Sequence, residues 1–444
     1  MTGASSSVVQ NESLESRAIR RARRRLIPFL ACMYFVAYLD RVNVGFAALQ
    51  MNAALGFSGR VYGLGAGIFF LGYFLFEVPS NLALARVGAR LWIARIAIVW
   101  GLVSISMLFV RGAISFCVLR FLLGAAEAGF FPGIIFYFTH WFPAPERARA
   151  VAQFSTASML AGIVGAPLSG ALLSLRGVGG LDGWQWLFLV EGVPAIGLGL
   201  IALAFLCDGP AQARWLSAEE KACLLEALRR ERERMPRAQA PTLRVGLLDK
   251  TVWRLAGVLF LIVTSGYGFS FFLPQIVKGL SGGSDLAVGG WTSLPFLVAA
   301  VGMVVVATHS DRTGERRWHV AGCAWLAAVG LAASAAAPSP LLSFVALVAA
   351  AVGLYGATPP FWSLPTAFLR GDAAAAGIGL INAVGNLGGF TGPYLMGWMK
   401  DISGSFFVGL CALAAAAALS GLLVLSIRAK PAVVPSSLEP AREA

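Results

Sequence analysis

Apolar residues run along this chain in long blocks, each closed by a charge, a glycine or a proline, and the blocks recur until the C-terminal tail. At 1.5 Å per residue, about twenty helical residues cross a hydrocarbon layer roughly 30 Å thick. Twelve such blocks can be drawn. The first six are 26–49, 62–85, 91–110, 114–138, 147–174 and 184–206. A polar interval follows, and then 251–277, 287–308, 319–337, 341–364, 373–399 and 404–427. The pattern predicts an all-α polytopic membrane protein whose twelve transmembrane helices form two six-helix bundles. Its parts are a basic N-terminal tail (1–25), a first bundle (26–206), a linker (207–250), a second bundle (251–427) and a C-terminal tail (428–444). The first block is too long for a signal-peptide core and no small-residue cleavage site follows it, so it is expected to stay in the membrane.

Composition agrees with the pattern. Hydrophobic residues make up 58% of the chain and charged ones 13%, with a mean hydropathy of +0.75. Soluble domains carry about a quarter charged residues, which excludes a water-soluble fold of this size. The six cysteines are scattered, with no CxxC and no Cys/His cluster, so neither a disulfide framework nor a metal site is expected.

The net charge of +13 would suit nucleic acid if it were clustered on one surface, but its placement follows topology instead. Arg17, Arg20, Arg21, Arg23, Arg24 and Arg25 precede the first span; Arg86 and Arg90 follow the second, Arg147 and Arg149 the fourth, and Arg312, Arg316 and Arg317 the eighth. Nine more basic residues lie in 207–250, whereas the alternate loops offer Arg60, Arg111, Arg176, Lys278 and Lys400. The crowded side should be the cytoplasm, with both termini inside and a lipid bilayer, not nucleic acid, as the surrounding partner. Within the linker, Ser217 and Glu220 have capping-box spacing and open a charged helix over 217–234.

The halves also repeat. Arg86-Val-Gly88-Ala-Arg90 matches Arg312-Thr-Gly314-Glu-Arg316, Gly129-Phe-Phe-Pro132 matches Gly356-Ala-Thr-Pro359, and Gly165 through Gly170 echoes Gly392 through Gly397. The near-constant offset implies a parallel repeat with a cavity between the halves, reached alternately from either side.

Charges inside the spans carry the chemistry, since each costs about 2.5–3.5 kcal/mol at the bilayer centre on insertion scales. The spans of the first half hold Asp40, Arg41, Glu77, Arg95, Arg120, Glu127 and Glu191, whereas in the second half charges lie only at span ends or in loops. Asp40 falls roughly 21 Å from the start of its span, and Arg120, entering from the other side, reaches the same depth. Glu127 is two turns beyond Arg120 on the same helical face. Four charges of balanced sign, Asp40, Arg41, Arg120 and Glu127, are therefore expected to converge in the outer half of one bundle. The competing reading makes them two structural ion pairs. Glu77, Arg95 and Glu191 sit toward helix ends or beside Gly/Pro and read as packing or interhelical pairing. His140, His309 and His319 fall at span edges, which leaves Asp40 and Glu127 to carry protons. Arg41 and Arg120 stay charged and fork onto carboxylates, which suits an anion. Tyr38, Tyr73, Asn382 and Asn386 could hydrogen-bond its other polar groups.

The stretches YLDRVNVGFA (38–47), FEVPSNLALARVGARLWIAR (76–95), RFLLGAAEAGFFPG (120–133), WFPAPERARAVA (141–152), GWQWLFLVEGVP (183–194) and HSDRTGERR (309–317) resemble the major facilitator superfamily and, within it, the anion:cation symporter family. The loop after the second span departs from the superfamily's usual signature, having Ala85 before Arg86 where an aspartate is customary. The resemblance implies proton-coupled uptake of a small organic anion: a sugar acid such as galactonate or glucarate, tartrate, or an aromatic carboxylate such as phthalate, hydroxyphenylacetate or nicotinate. It implies that Asp40 and Glu127 carry protons, that Arg41 and Arg120 hold the anion, and that Tyr38, Tyr73 and Asn382 contact it. It further implies a monomer of the bacterial inner membrane with H+ as coupling ion and no cofactor. Ser155, Thr156 and Ser158 stand where some relatives carry a longer polar side chain, which weighs against a polyhydroxylated substrate. Two other readings compete: efflux or exchange of an amphipathic compound, partly suggested by GIVGAPLSG in the fifth span, and a membrane sensor or intramembrane enzyme, for which no nucleophile–base pair or signalling domain is visible.

Overall fold

A computed structural model describes residues 3–234, 249–368 and 372–427; linker residues 235–248 and the C-terminal tail 428–444 lie outside them. The first half comprises α1 (Gly3–Val42), α2 (Val44–Leu55), α3 (Gly59–Val87), α4 (Ala89–Ser106), α5 (Ala113–Glu127), α6 (Phe130–Thr139), α7 (Ala144–Leu173) and α8 (Gly183–Phe205). The linker helix α9 (Ala218–Arg234) follows. The second half comprises α10 (Lys250–Ser281), α11 (Asp285–Thr313), α12 (Arg317–Ala336), α13 (Pro340–Gly356), α14 (Thr358–Phe368), α15 (Asp372–Asn386), α16 (Gly388–Ser403) and α17 (Phe407–Leu425). Among the described residues eleven spans are long and apolar enough to cross a membrane, and α15 with α16 supplies the twelfth in two pieces.

The repeat seen in the sequence is a repeat of helix ends. Ser58 and Ser284, 226 residues apart, each cap a helix by accepting an N–H at 3.3 Å, from Val61 and from Ala287. The two helices so begun, α3 and α11, each run 29 residues and end on Gly88 and Gly314, whose φ values of +99° and +69° are positive. A side chain is disfavoured in that conformation, so glycine stops both helices at equivalent places. Gly129, with φ +82°, separates α5 from α6, and its counterpart Gly356 ends α13 just before α14.

The halves meet along two seams related by the same offset. A Cβ on Gly63 would strike the carbonyl of Pro393, and one on Gly289 would strike Ala166 and Pro167. A Cβ on Gly397 would strike Gly59, and one on Gly170 would strike Asp285. Small residues let backbones approach where water cannot drive association. Both seams lie at the face away from the basic loops, and polar bonds reinforce them. The Gly59 and Arg60 N–H groups donate to Asp401 at 2.7 and 2.8 Å, Gln50 donates to Asp285 at 2.8 Å, and Tyr62 donates to the Phe271 carbonyl at 2.8 Å. The bundle is thus closed at that face.

At the basic face α1 continues out of its membrane block as one helix from Gly3, so the basic tail joins the first span without a break. Its arginines dock on the linker. Arg21 pairs with Glu220 at 2.8 Å, and Arg25 stacks on Phe205 and Trp215 at 4.4 and 5.5 Å. The expected capping box forms, Ser217 N–H to Glu220 at 3.0 Å and Glu220 N–H to Ser217 Oγ at 3.2 Å. Arg147 to Glu231 at 3.2 Å ties α9 to the start of α7, so the linker helix packs on the first half.

Candidate functional site

Asn43 lies where α1 gives way to α2 with the backbone still helical, and on this stretch of the first span Asp40, Arg41 and Asn43 point to different surroundings. Arg41 lies at the centre of the molecule with its side chain 12% exposed. Its guanidinium donates to the Glu127 carboxylate in a short ion pair and to the Tyr267 hydroxyl of the second half at 3.4 Å. Aromatic faces surround it: Phe69 at 5.4 Å, Tyr73 at 5.5 Å and Tyr38 at 5.9 Å. Tyr34 stacks on Phe154 at 4.6 Å, and Tyr355 of the second half exchanges a hydrogen bond with Ser270 at 3.0 Å. The arrangement is a single cation at the interface of the halves, neutralised by one carboxylate and walled by phenols and phenyls.

Arg120 is placed otherwise. It is fully buried, donates to the carbonyls of Gly65 and Ala66 at 3.3 and 3.4 Å, and lies over the Phe69 ring at 5.0 Å. Its Nη1 has no partner among the described residues. Asp40 faces the other way, accepting from Ser104 on α4 and, at 3.4 Å, from Asn43. The same Asn43 amide donates to Glu191 on α8 at 2.7 Å. Asp40, Asn43, Ser104 and Glu191 are all at most 2% exposed.

The four charges expected to converge do share one region of the first half, yet they do not form two ion pairs. Arg41 and Glu127 bond directly; Asp40 and Arg120 show no ion pair between them among the described residues. The physical reason is that each has other partners close by: a hydroxyl and an amide for the carboxylate, and the Gly65 and Ala66 carbonyls of α3 for the guanidinium. Glu77 pairs across the halves as an interhelical contact, since Asn382 donates to it at 3.4 Å. Arg95 is exposed and lies over Trp92 at 4.7 Å. Tyr38 and Tyr73 meet Arg41 as ring faces. Ser155 and Thr156 are partly open, and the Thr156 and Ser158 hydroxyls bond back to their own helix at 2.7 and 2.8 Å.

Sequence reasoning missed Asn43, Ser104, Tyr267 and Tyr355, and it set Glu191 apart from Asp40. Two signals could have found some of them. Asn43 is three residues past Asp40 on the same helical face, and Tyr267 stands 226 residues after Arg41, the offset of the repeat.

The profile of the Major Facilitator Superfamily matches residues 30–393. A protein of Agrobacterium vitis named for tartrate transport is 51% identical over 96% of this chain and 95% of its own. A quinolone resistance transporter of Acinetobacter baumannii is 41% identical over 89% of this chain and 91% of its own. The fold matches a crystal structure of a bacterial homologue of the human lysosomal transporter Spinster with a TM-score of 0.71, at 20% identity, over 91% of this chain and 93% of that one. Two-half architecture, glycine seams and these likenesses together place the chain in the Major Facilitator Superfamily, as a multi-pass membrane transporter and not an enzyme.

Proposed function

We propose that this transporter imports a small organic anion together with protons by alternating access. The observation that carries the reading is Arg41, a buried cation at the meeting of the halves whose counter-ion, Glu127, could be neutralised by a proton. Protonation of Glu127 would release the guanidinium to fork onto a substrate carboxylate, and loss of the proton would let Glu127 reclaim Arg41 and expel the anion. Coupling by this competition requires only that proton and anion favour the same state. The basic face is then the cytoplasmic one, and the closed seams seal the outer side. Tyr38, Tyr73 and Asn382 would contact the substrate body, and Arg120 would act from behind Phe69 as a fixed positive charge. The reading takes H+ as coupling ion, a monomer as the working unit and the bacterial inner membrane as its place. The relative named for tartrate supports a carboxylate substrate.

The test is uptake of labelled tartrate and of an aromatic carboxylate into proteoliposomes with an imposed acid-outside gradient. Accumulation should depend on the gradient and be lost in Asp40→Asn and Glu127→Gln. Gradient-independent fluxes, or unchanged accumulation in both variants, would overturn the reading.

A second reading is export of an amphipathic compound. The aromatic wall around Arg41 and the likeness to a quinolone resistance transporter favour it. Raised drug resistance on expression, without gradient-driven carboxylate uptake, would select it.

A further inference from the structure

Behind the Arg41 site lies a second set of ionisable groups that the proposed cycle uses only in part. Asp40 on α1 and Glu191 on α8 are joined by one amide, that of Asn43, whose Nδ2 donates to Glu191 at 2.7 Å and to Asp40 at 3.4 Å. Ser104 adds one more donor to Asp40. The acceptors outnumber these donors: Asp40 Oδ2, Glu191 Oε1 and Asn43 Oδ1 are buried without a partner among the described residues. The groups facing this set are Trp100, whose buried indole N–H lies beside Asp40 without closing a hydrogen bond, and two charges of α5, Arg120 and Glu127. Among the described residues neither Asp40 nor Glu191 has a basic side chain in ion-pair contact. Two ionised carboxylates so close, with one amide between them and no paired cation, would carry an uncompensated charge in a dry interior. A carboxyl O–H is the donor such a set lacks.

We propose that Asp40 and Glu191 share one proton through Asn43, making Glu191 a positioning residue that sets when Asp40 takes up and releases its proton. Groups coupled in this way titrate as a pair, so a change at one moves the apparent titration of the other. Asp40 also sits one residue before Arg41, on the segment that carries the cation proposed to hold the substrate anion. A change of charge in the Asp40–Asn43–Glu191 set is therefore felt beside Arg41. The use of this proton in transport rests on the proton-symport reading above; the sharing itself does not.

The experiment is infrared difference spectroscopy of the purified full-length protein across a pH series, following the carbonyl stretch of protonated carboxylic acids. The wild type should show a buried carboxyl band whose midpoint shifts by at least about one pH unit, a tenfold change in proton affinity, in Glu191→Gln. Asn43→Leu, which keeps both acids but removes the bridge, should displace the same midpoint and guards against a loss specific to one variant. The same midpoint in wild type, Glu191→Gln and Asn43→Leu overturns the proposal, since independent carboxyls would behave that way. In proteoliposomes Glu191→Gln should lose about tenfold or more of its gradient-driven accumulation while substrate exchange stays within about twofold. If the infrared midpoints shift as expected but the wild type shows no gradient-driven uptake, the shared proton stands and the symport reading falls.

Discussion

Arg41 and Tyr267, 226 residues apart, occupy equivalent positions of the two repeats and are hydrogen-bonded to each other at 3.4 Å across the centre of the molecule. The pseudo-twofold relation between the halves therefore passes between a guanidinium and a phenol. Symmetry of the fold brings the two positions together, and the difference in side chain makes the site one-sided. The cation and its counter-ion belong to the first half, while the second half offers a neutral donor and acceptor. A substrate carboxylate that displaces Glu127 from Arg41 would meet Tyr267 at the same moment, which gives the second half a direct way to sense occupancy.

Removing this geometry should separate charge from shape. Arg41→Lys keeps the positive charge but loses the planar fork that reaches Glu127 and Tyr267 together. Carboxylate uptake is expected to fall at least tenfold, about 1.4 kcal/mol, with Tyr267→Phe costing less, about 1 kcal/mol for one hydrogen bond. Initial uptake rates and anion affinity by thermal shift check it; a fully active Arg41→Lys would show that the fork is not used.

The glycine seams predict a steric lock. Valine at Gly63 would place side-chain atoms where the Pro393 backbone passes. Overpacking of this kind costs about 1–3 kcal/mol and here acts only on the state closed at that face. Gly63→Val and Gly289→Val should both slow transport by more than about tenfold and leave a cysteine introduced near the seam open to reagents from that side. Gly197→Ala, which meets nothing within 4 Å, is the control and should transport normally.

Asp401 ties α16 to the first residues of α3, and its charge state has a definite sign. Partial burial pushes its carboxyl up, but the N–H groups of Arg60 and Gly59 and the Ser58 hydroxyl outweigh that and hold it below the usual carboxylate range. A depressed carboxylate stabilises the bonded state above its ordinary value, about 3.9, and that contribution is lost only as pH falls through the lowered one. The latch is therefore fully ionised from pH 5 to 8 and cannot supply the pH dependence of transport there. Asp401→Asn should alter the rate at every pH in that window while leaving the midpoint of the pH profile in place. A midpoint displaced by a full unit would contradict this assignment.

The linker helix should matter for stability more than for transport. Ser217 and Glu220 cap α9, and loss of such a cap costs about 1 kcal/mol. Ser217→Ala is expected to lower the Tm by about one degree with uptake unchanged, because α9 packs on the first half and stays with it. A loss of transport without loss of Tm would mean that the linker restrains the halves against each other.

Much of this protein was legible in its residues. Length and spacing of apolar blocks set the number of spans, and the basic loops marked one face. Gly88 with Gly314 announced the repeat, because a helix stop that needs positive φ admits few residues other than glycine, and Gly129 with Gly356 repeated the same offset at the next helix ends. The buried charges of the first half were equally visible, since lipid makes each of them expensive and hence conspicuous.

Which charges would touch was another matter. Depth along a helix can be counted from the sequence, but which neighbouring helix each side chain will face cannot. Adjacent on one helix and so about 100° apart, Arg41 faces Glu127 and Tyr267 while Asp40 faces Ser104 and, through Asn43, Glu191. Periodicity and spacing determined the spans, the repeat and the set of polar groups that had to be hidden. Tertiary packing alone decided the partners, because hydrogen bonds and ion pairs depend on distances of a few ångströms between segments that the chain order leaves far apart.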